Sequence, residues 1–240
     1  MEQDFLRRLQ NMQTAFRENP HNEDLREAMQ NYFDDLRAHA HTQPQIGMLT
    51  REALSLLRRF RNAQPPSTAE PTAAVDLTAL CEDLAFACDL LCDAQNKRIY
   101  CMDTKTVFAV CRPRAVLWSV LNLLTNAVQY SAGRYIFLGA SETARQLRIA
   151  VSCEGDFPIP AFQSALIRTG GGLRYAAETA ELHGGQLLLS QTKVQNTVSL
   201  TLARQTHTSL CVAETDFTDW LADSLSPVYT AFCGICTPSL

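Results

Sequence analysis

Two asparagines one helical turn apart, Asn122 and Asn126, stand in the run RAVLWSVLNLLTNAVQYS, with Gln129 three residues further on. At i and i+4 on a helix, two amides share one face. Amide oxygens can ligate a hard cation such as Mg2+, and amide N–H groups can donate to phosphate. The same spacing also describes an ordinary solvated face, which spacing alone slightly favours. A second segment, GGGLRYAAETAELHGGQLLLS, sets Gly170, Gly171 and Gly172 before a helix. Bare backbone there lets N–H groups approach a phosphate at the positive end of the helix. A tight turn would use the same residues.

Other chemically capable residues give weaker signals. Cys81, Cys88 and Cys92 fall on one helix face and read as small buried fillers rather than metal ligands. Cys233-Gly-Ile-Cys236 has no visible partners for zinc or redox chemistry and reads as a pair of tail thiols. His183, just before Gly184-Gly185, reads as the end of a helix at its glycine cap.

The elements that must carry these residues divide at a linker. Residues 64–74, QPPSTAEPTAA, lack apolar bulk. Before them the pattern is helical. Phe5, Leu6, Leu9, Met12 and Phe16 form one stripe, and Asn19-Pro20 interrupts it. Asn22 is placed to cap a second helix carrying Leu25, Met29, Tyr32, Phe33 and Leu36. Pro44 and Gly47 mark another break. A last helix has Leu49, Leu54, Leu57 and Phe60 inside, with Arg51, Arg58, Arg59 and Arg61 largely outside.

After the linker, Leu77–Leu91 reads as a helix and RIYCM with TVFAVC as a hairpin. Pro113 opens a helix to about Tyr130, with Leu117, Val120, Leu121, Leu124 and Val128 as its buried stripe. YIFLGAS and LRIAVSC alternate as strands, and GQLLLSQ with TVSLTLA reads as another hairpin. The implied class is α+β, a mixed sheet with helices packed on one face. TDFTDWLADSL in the tail suits a short amphipathic helix with Phe217, Trp220 and Leu221 inward.

Composition narrows the classes further. The chain has 240 residues, 46% hydrophobic and 19% charged, with a net charge of -4. Such a chain builds a core and is not disordered. Its mild acidity gives no electrostatic footprint for nucleic acid. No apolar run approaches the ~20 residues needed to span a bilayer, and the first residues lack a signal-peptide pattern. With nine scattered cysteines, the expectation is a reduced, cytoplasmic protein.

Taken together, the two glycine- and asparagine-bearing segments cease to be generic. Residues 75–203 resemble the ATP-binding domain of bacterial sensor histidine kinases. The family's N box, N-L-L-x-N-A-x-K-Y-S, is matched by Asn122-Leu-Leu-Thr-Asn126-Ala-Val-Gln129-Tyr130-Ser131. Its second glycine box and E-L-H-G-G are matched by Gly170, Gly172 and Leu173, then Glu181 to Gly185. The closing strand carries Asn196-Thr197 where the family has Gly-Thr. The resemblance implies ATP and Mg2+ as ligands. Asn126 would hold Mg2+ and Asn122 would lie beside the phosphates. Gly155, Gly170 and Gly172 would lie at the nucleotide.

The departures are specific. The first glycine box, D-x-G-x-G-I, is here Cys153-Glu154-Gly155-Asp156-Phe157-Pro158. Cys153 replaces the adenine-binding carboxylate and Phe157 replaces a glycine. Nine residues separate Pro160 from Gly170, where the family has a long lid. Gln129 replaces the N-box Lys. No intact phosphoacceptor box is present. One alignment puts Asn11 at the acceptor position. Another puts His39 there, with Pro44 at the family's offset but too little chain for the second helix. The plainer account of His39 and His41 is two exposed histidines near a helix end.

The domains expected are a helical dimerisation or phosphotransfer-like segment (1–64), a linker (65–74), the ATP-binding domain (75–203) and a tail (204–240). The expected function is that of a degenerate two-component regulator with weak or lost ATP binding. It would be a homodimer through residues 1–64 and would contact a response regulator or sensor kinase. The alternatives are an active ATP-dependent histidine kinase and an ATP-independent histidine phosphotransferase, for which His39 is the acceptor candidate.

Overall fold

The computed structural model describes residues 2–19, 23–39, 46–102, 105–155, 159–168, 171–204, 226–233 and 235. Three helices come first: α1 (Glu2–Glu18), α2 (Glu23–His39) and α3 (Ile46–Ala63). Their apolar stripes close on one another within the single chain. Phe5, Leu9, Met12, Leu25, Met29, Tyr32, Leu54, Leu56 and Phe60 form one buried cluster. The Phe5 and Tyr32 rings meet edge to face at 5.6 Å, a favoured aromatic geometry. Burial pushes the Tyr32 phenol up to about 12. The expected stripe of α1 holds at Phe5, Leu9 and Met12, while Leu6 stays exposed. Because these faces are covered within one chain, their burial alone no longer calls for a second copy.

The sheet domain follows: β1 (Ala73–Asp76), α4 (Leu77–Cys92), β2 (Arg98–Cys101), β3 (Phe108–Cys111), α5 (Pro113–Tyr130), β4 (Tyr135–Glu142) and β5 (Gln146–Glu154). It continues with α6 (Ile159–Ile167), α7 (Gly172–Leu182), β6 (Leu187–Gln191) and β7 (Gln195–Ala203), and α8 (Pro227–Phe232) lies in the tail. Five strands form a mixed sheet in the order β2-β4-β5-β7-β6, with β2 parallel to β4 and the other pairs antiparallel. Ile136, Leu138, Ile149, Val151, Leu200 and Leu202 join α4, α5 and α7 in one buried core. The aromatic rings of Tyr100, Tyr135 and Phe137 cluster away from that core, with centroids 5.9 and 6.2 Å apart.

One expected pairing is corrected. β2 and β3 do not form a hairpin. β3 pairs antiparallel with β1, Ala73 opposite Cys111, and β2 pairs in parallel with β4. A parallel pair needs a crossover helix, and α5 supplies it. Alternation shows that a segment is a strand but does not name its partner.

The helix starts are locally encoded. Asp76 Oδ1 accepts from the backbone N–H of Thr78 (2.9 Å) and Ala79 (3.1 Å), capping α4. Pro113 occupies the first turn of α5, where no N–H partner is needed. The Glu70 carboxylate reaches across from the linker and accepts from Arg114 N (2.6 Å) and Ala115 N (3.2 Å). Cys81, Cys88 and Cys92 are fully buried, as small fillers should be. α8 inserts Val228 and Phe232 into the main core, so this part of the tail belongs to the domain packing. Residues 205–225, with the Phe217–Trp220–Leu221 segment, lie outside the described residues.

Candidate functional site

The site is built on α5. Leu117, Val120, Leu121, Leu124 and Val128 bury one side of it, as the pattern predicts. The polar side is covered at its middle, and only its end at Gln129 is exposed. Trp118, Asn122 and Thr125 succeed one another by a helical turn, and Asn122 is 1% exposed. The helix that covers them is α3. Asn62 Oδ1 accepts from Trp118 Nε1 (2.8 Å) and from Asn122 Nδ2 (2.9 Å). Arg58 Nη2 donates to Thr125 Oγ1 at 3.2 Å. The Arg61 guanidinium lies 5.1 Å from the centroid of the Trp118 ring, within cation–π range.

This corrects the expected outward placement of Arg58 and Arg61. Both are half-buried, and burial pulls their pKa values down. α3 packs on two sides at once, with Phe60 turned to the helical cluster and Asn62 to α5. A long guanidinium stem buries well while its head stays hydrogen-bonded.

Asn122 also meets α7. A β-carbon added to Gly172 would stand 2.5 Å from Asn122 Oδ1, so no side chain fits at 172. The Asn122 oxygen itself is buried and has no hydrogen-bond partner among the described residues. Such an orphan is uncommon in a folded interior. Asn126 is half-buried, and Gln129 is exposed. α7 starts after Gly171, which has no side chain to cap its first N–H groups. Gly170 lies outside the described residues.

The other end of the site is the end of β5. Cys153 is half-buried, opposite Ile136 on β4 and Asn196 on β7. Burial raises its pKa, partly countered by a hydrogen bond with Ser131 and the charge of Lys97. The position therefore offers a neutral thiol, a poor acceptor. Gly155 follows with φ +133, a conformation that side-chain-bearing residues rarely adopt. Its carbonyl accepts from the amide of Asn196, which is itself buried. Lys97 Nζ donates to the carbonyls of Ser131 and Gly133, both at 2.7 Å, tying down the chain after α5. Asp156 and Phe157 lie outside the described residues. The short segment expected in place of a lid contains α6, which packs on α7 and buries Phe162.

The sheet domain has the fold of a histidine-kinase ATPase domain. Full-length ShkA, solved with AMPPNP, matches with a TM-score of 0.54 and 16% identity, over 67% of this chain and 39% of that one. The ATP-binding domain of PrrB from Mycobacterium tuberculosis matches at 0.49 and 24%, over 56% of this chain and 98% of that one. Histidine kinase AdeS from Acinetobacter baumannii matches at 0.48 and 13%, over 83% and 94%. No family model matches the chain, and no curated protein matches it by sequence.

In this arrangement the face that the resemblance assigns to Mg-ATP is covered at Asn122. The amide of Asn122 is held by Asn62, and Gly172 is packed against its oxygen. A thiol stands where the resemblance expects a carboxylate. Asn126 and the start of α7 keep polar groups that suit a cation and an anion.

His183 accepts from Arg112 N at Nε2 (3.0 Å), so its proton sits on Nδ1, which lies 2.7 Å from Thr179 O and donates to it. It staples the end of α7 to the start of α5, as the structural reading expects. Burial lowers its pKa. His39 is the last residue of α2 and Asn11 is exposed on α1. His41 and Cys236 lie outside the described residues, while Cys233 Sγ donates to Arg51 O at 3.0 Å. Among the described residues, no cluster of His, Cys, Asp and Glu could hold a metal, and no helix is long and apolar enough to cross a membrane.

Sequence reasoning missed Asn62, Glu70 and Lys97. A faint signal existed for the first: Trp118 shares a face with Asn122, and an indole on a supposedly wet face asks for a cover.

Proposed function

We propose that this chain is a histidine-kinase-like signalling protein that works through protein contacts, with weak or lost ATP binding. The observation that carries the reading is the Asn122 amide, buried and spent on Asn62. The thiol of Cys153 supports it, because a lost hydrogen bond to a charged acceptor costs about 1.5–3 kcal/mol, roughly tenfold to hundredfold in affinity. The domain boundaries proposed are residues 1–64, 65–74, 75–203 and 204–240. The partners in this reading are a second copy, through residues 1–64, and a response regulator or sensor kinase in the cytoplasm.

Calorimetric titration of the whole chain with Mg-ATP and Mg-GTP tests the nucleotide claim. The expected result is weak or absent binding with little preference for adenine. Low-micromolar, adenine-selective binding makes an active kinase the better reading. Labelled ATP is expected to leave no acid-labile phosphate on the protein. Label that disappears in His39→Gln would likewise favour the kinase, and label acquired only from a phosphorylated response regulator would favour the phosphotransferase. Light scattering on the whole chain tests the dimer, and a monomer at micromolar concentration removes it.

A further inference from the structure

α3 is joined to the sheet domain through polar groups that the N-box helix would otherwise present to a ligand. Asn62 alone satisfies two buried donors, Trp118 Nε1 and Asn122 Nδ2. Arg58 and Arg61 extend the contact along Thr125 and the Trp118 ring. The result is incomplete on its own terms: among the described residues, Asn122 Oδ1 is left buried without a donor. A buried amide with one half paired and the other orphaned costs free energy that an alternative arrangement can recover.

We infer that α3 is an intramolecular latch, and that its docking through Asn62 competes with Mg-nucleotide binding at Asn122. The inference rests on the reading of the α5–α7 face as a nucleotide subsite. Boxed between Asn62 and Gly172, the Asn122 amide has no free approach. Asn122 is 1% exposed with α3 docked, so a phosphate oxygen can reach Nδ2 only if α3 moves away. Docked and nucleotide-bound forms are therefore two states of one equilibrium. A protein whose competent state is a fraction f of the total binds with an apparent Kd raised by 1/f. Linkage is reciprocal, so nucleotide must also drive α3 off. The linker ties α3 to the same helix, since Glu70 caps α5 and Arg112 Nη2 donates to Thr68 O at 3.1 Å. A pull on the N-terminal helices would thus act directly on the N-box helix.

The test uses the whole chain with Mg-ATP as probe. Asn62→Leu leaves Trp118 and Asn122 without their acceptor. It is expected to raise Mg-ATP affinity tenfold or more and to speed hydrogen exchange in residues 56–63. The double variant Arg58→Ala/Arg61→Ala serves if Asn62→Leu does not fold, with the same expected direction. In the unmodified chain, saturating Mg-ATP is expected to speed exchange in the same residues. Faster exchange in a variant with no gain in affinity overturns the latch and leaves the weak-binding reading standing. Tight binding by the unmodified chain overturns the weak-binding reading, and a further gain on releasing α3 then upholds the latch by itself.

Discussion

The N-terminal helices and the sheet domain both rest on amphipathic patterns, yet they use their polar faces in opposite ways. On α1 the polar face is solvated, with the Arg7–Asp4 ion pair lying in the open. On α5 the polar face is an interior, where an indole, an amide and a hydroxyl are all buried under α3. In the first case charges need no partner but water. In the second, every donor needs an acceptor, and Asn62 Oδ1 serves two of them. Polar residues on a helix face therefore say that the face is not a hydrocarbon core. They do not say that it is wet.

The largest expected effect lies on the apolar side of α5. Leu121→Ala or Leu124→Ala is expected to cost roughly 2–5 kcal/mol in denaturant unfolding, since both side chains are fully buried. Equal loss from Asn126→Ala would break the assignment of the two faces. Smaller is the gain expected from Cys153→Asp. A restored carboxylate is worth at most tenfold to hundredfold, and calorimetry should read less than that, because Asn62 still holds Asn122. A gain in Mg-ATP affinity above hundredfold would mean that Cys153 alone, and not Asn62, limits binding.

Smaller again is a pH effect at His183. Burial, then the charge of Arg112, lowers its folded pKa, against the Thr179 carbonyl bond and Glu70, which raise it. The unfolded chain then binds the proton more readily than the folded one. Stability is full above the unfolded value of ~6.5 and falls as the pH drops below it. Protonation also removes the Nε2 acceptor of Arg112 N. Thermal unfolding of His183→Gln should show a flatter profile between about pH 7 and 5; an unchanged slope would mean that His183 is not the group responsible. The smallest effect expected is that of Asn126→Ala, whose half-buried amide supports no packing, and unfolding should place it well below Leu121→Ala.

Much of the fold is legible in the residues because its signals are local. The 3.6-residue stripe of α5 needs only its own leucines, and Asp76 caps α4 two residues away. The β6–β7 hairpin follows from alternation across a short turn. The pairing of β2 with β4 is not local: it depends on where α5 returns the chain. The candidate site divides the same way. Asn122, Asn126, Gly155 and Gly172 are readable from spacing and family resemblance. Asn62 is 60 residues from Asn122 in sequence, and no period connects them.

By itself, the sequence determined the α+β class, the buried stripe of α5 and the small-filler role of the helix cysteines. Each depends on residue type or on short-range period, which act before the chain has folded. Only the tertiary structure decided that the polar face of α5 is covered at Asn122 rather than open. That outcome turns on α3 offering one acceptor, Asn62 Oδ1, within 3 Å of two donors on another helix. Desolvating an indole and an amide is favourable only when such an acceptor arrives with the surface that buries them.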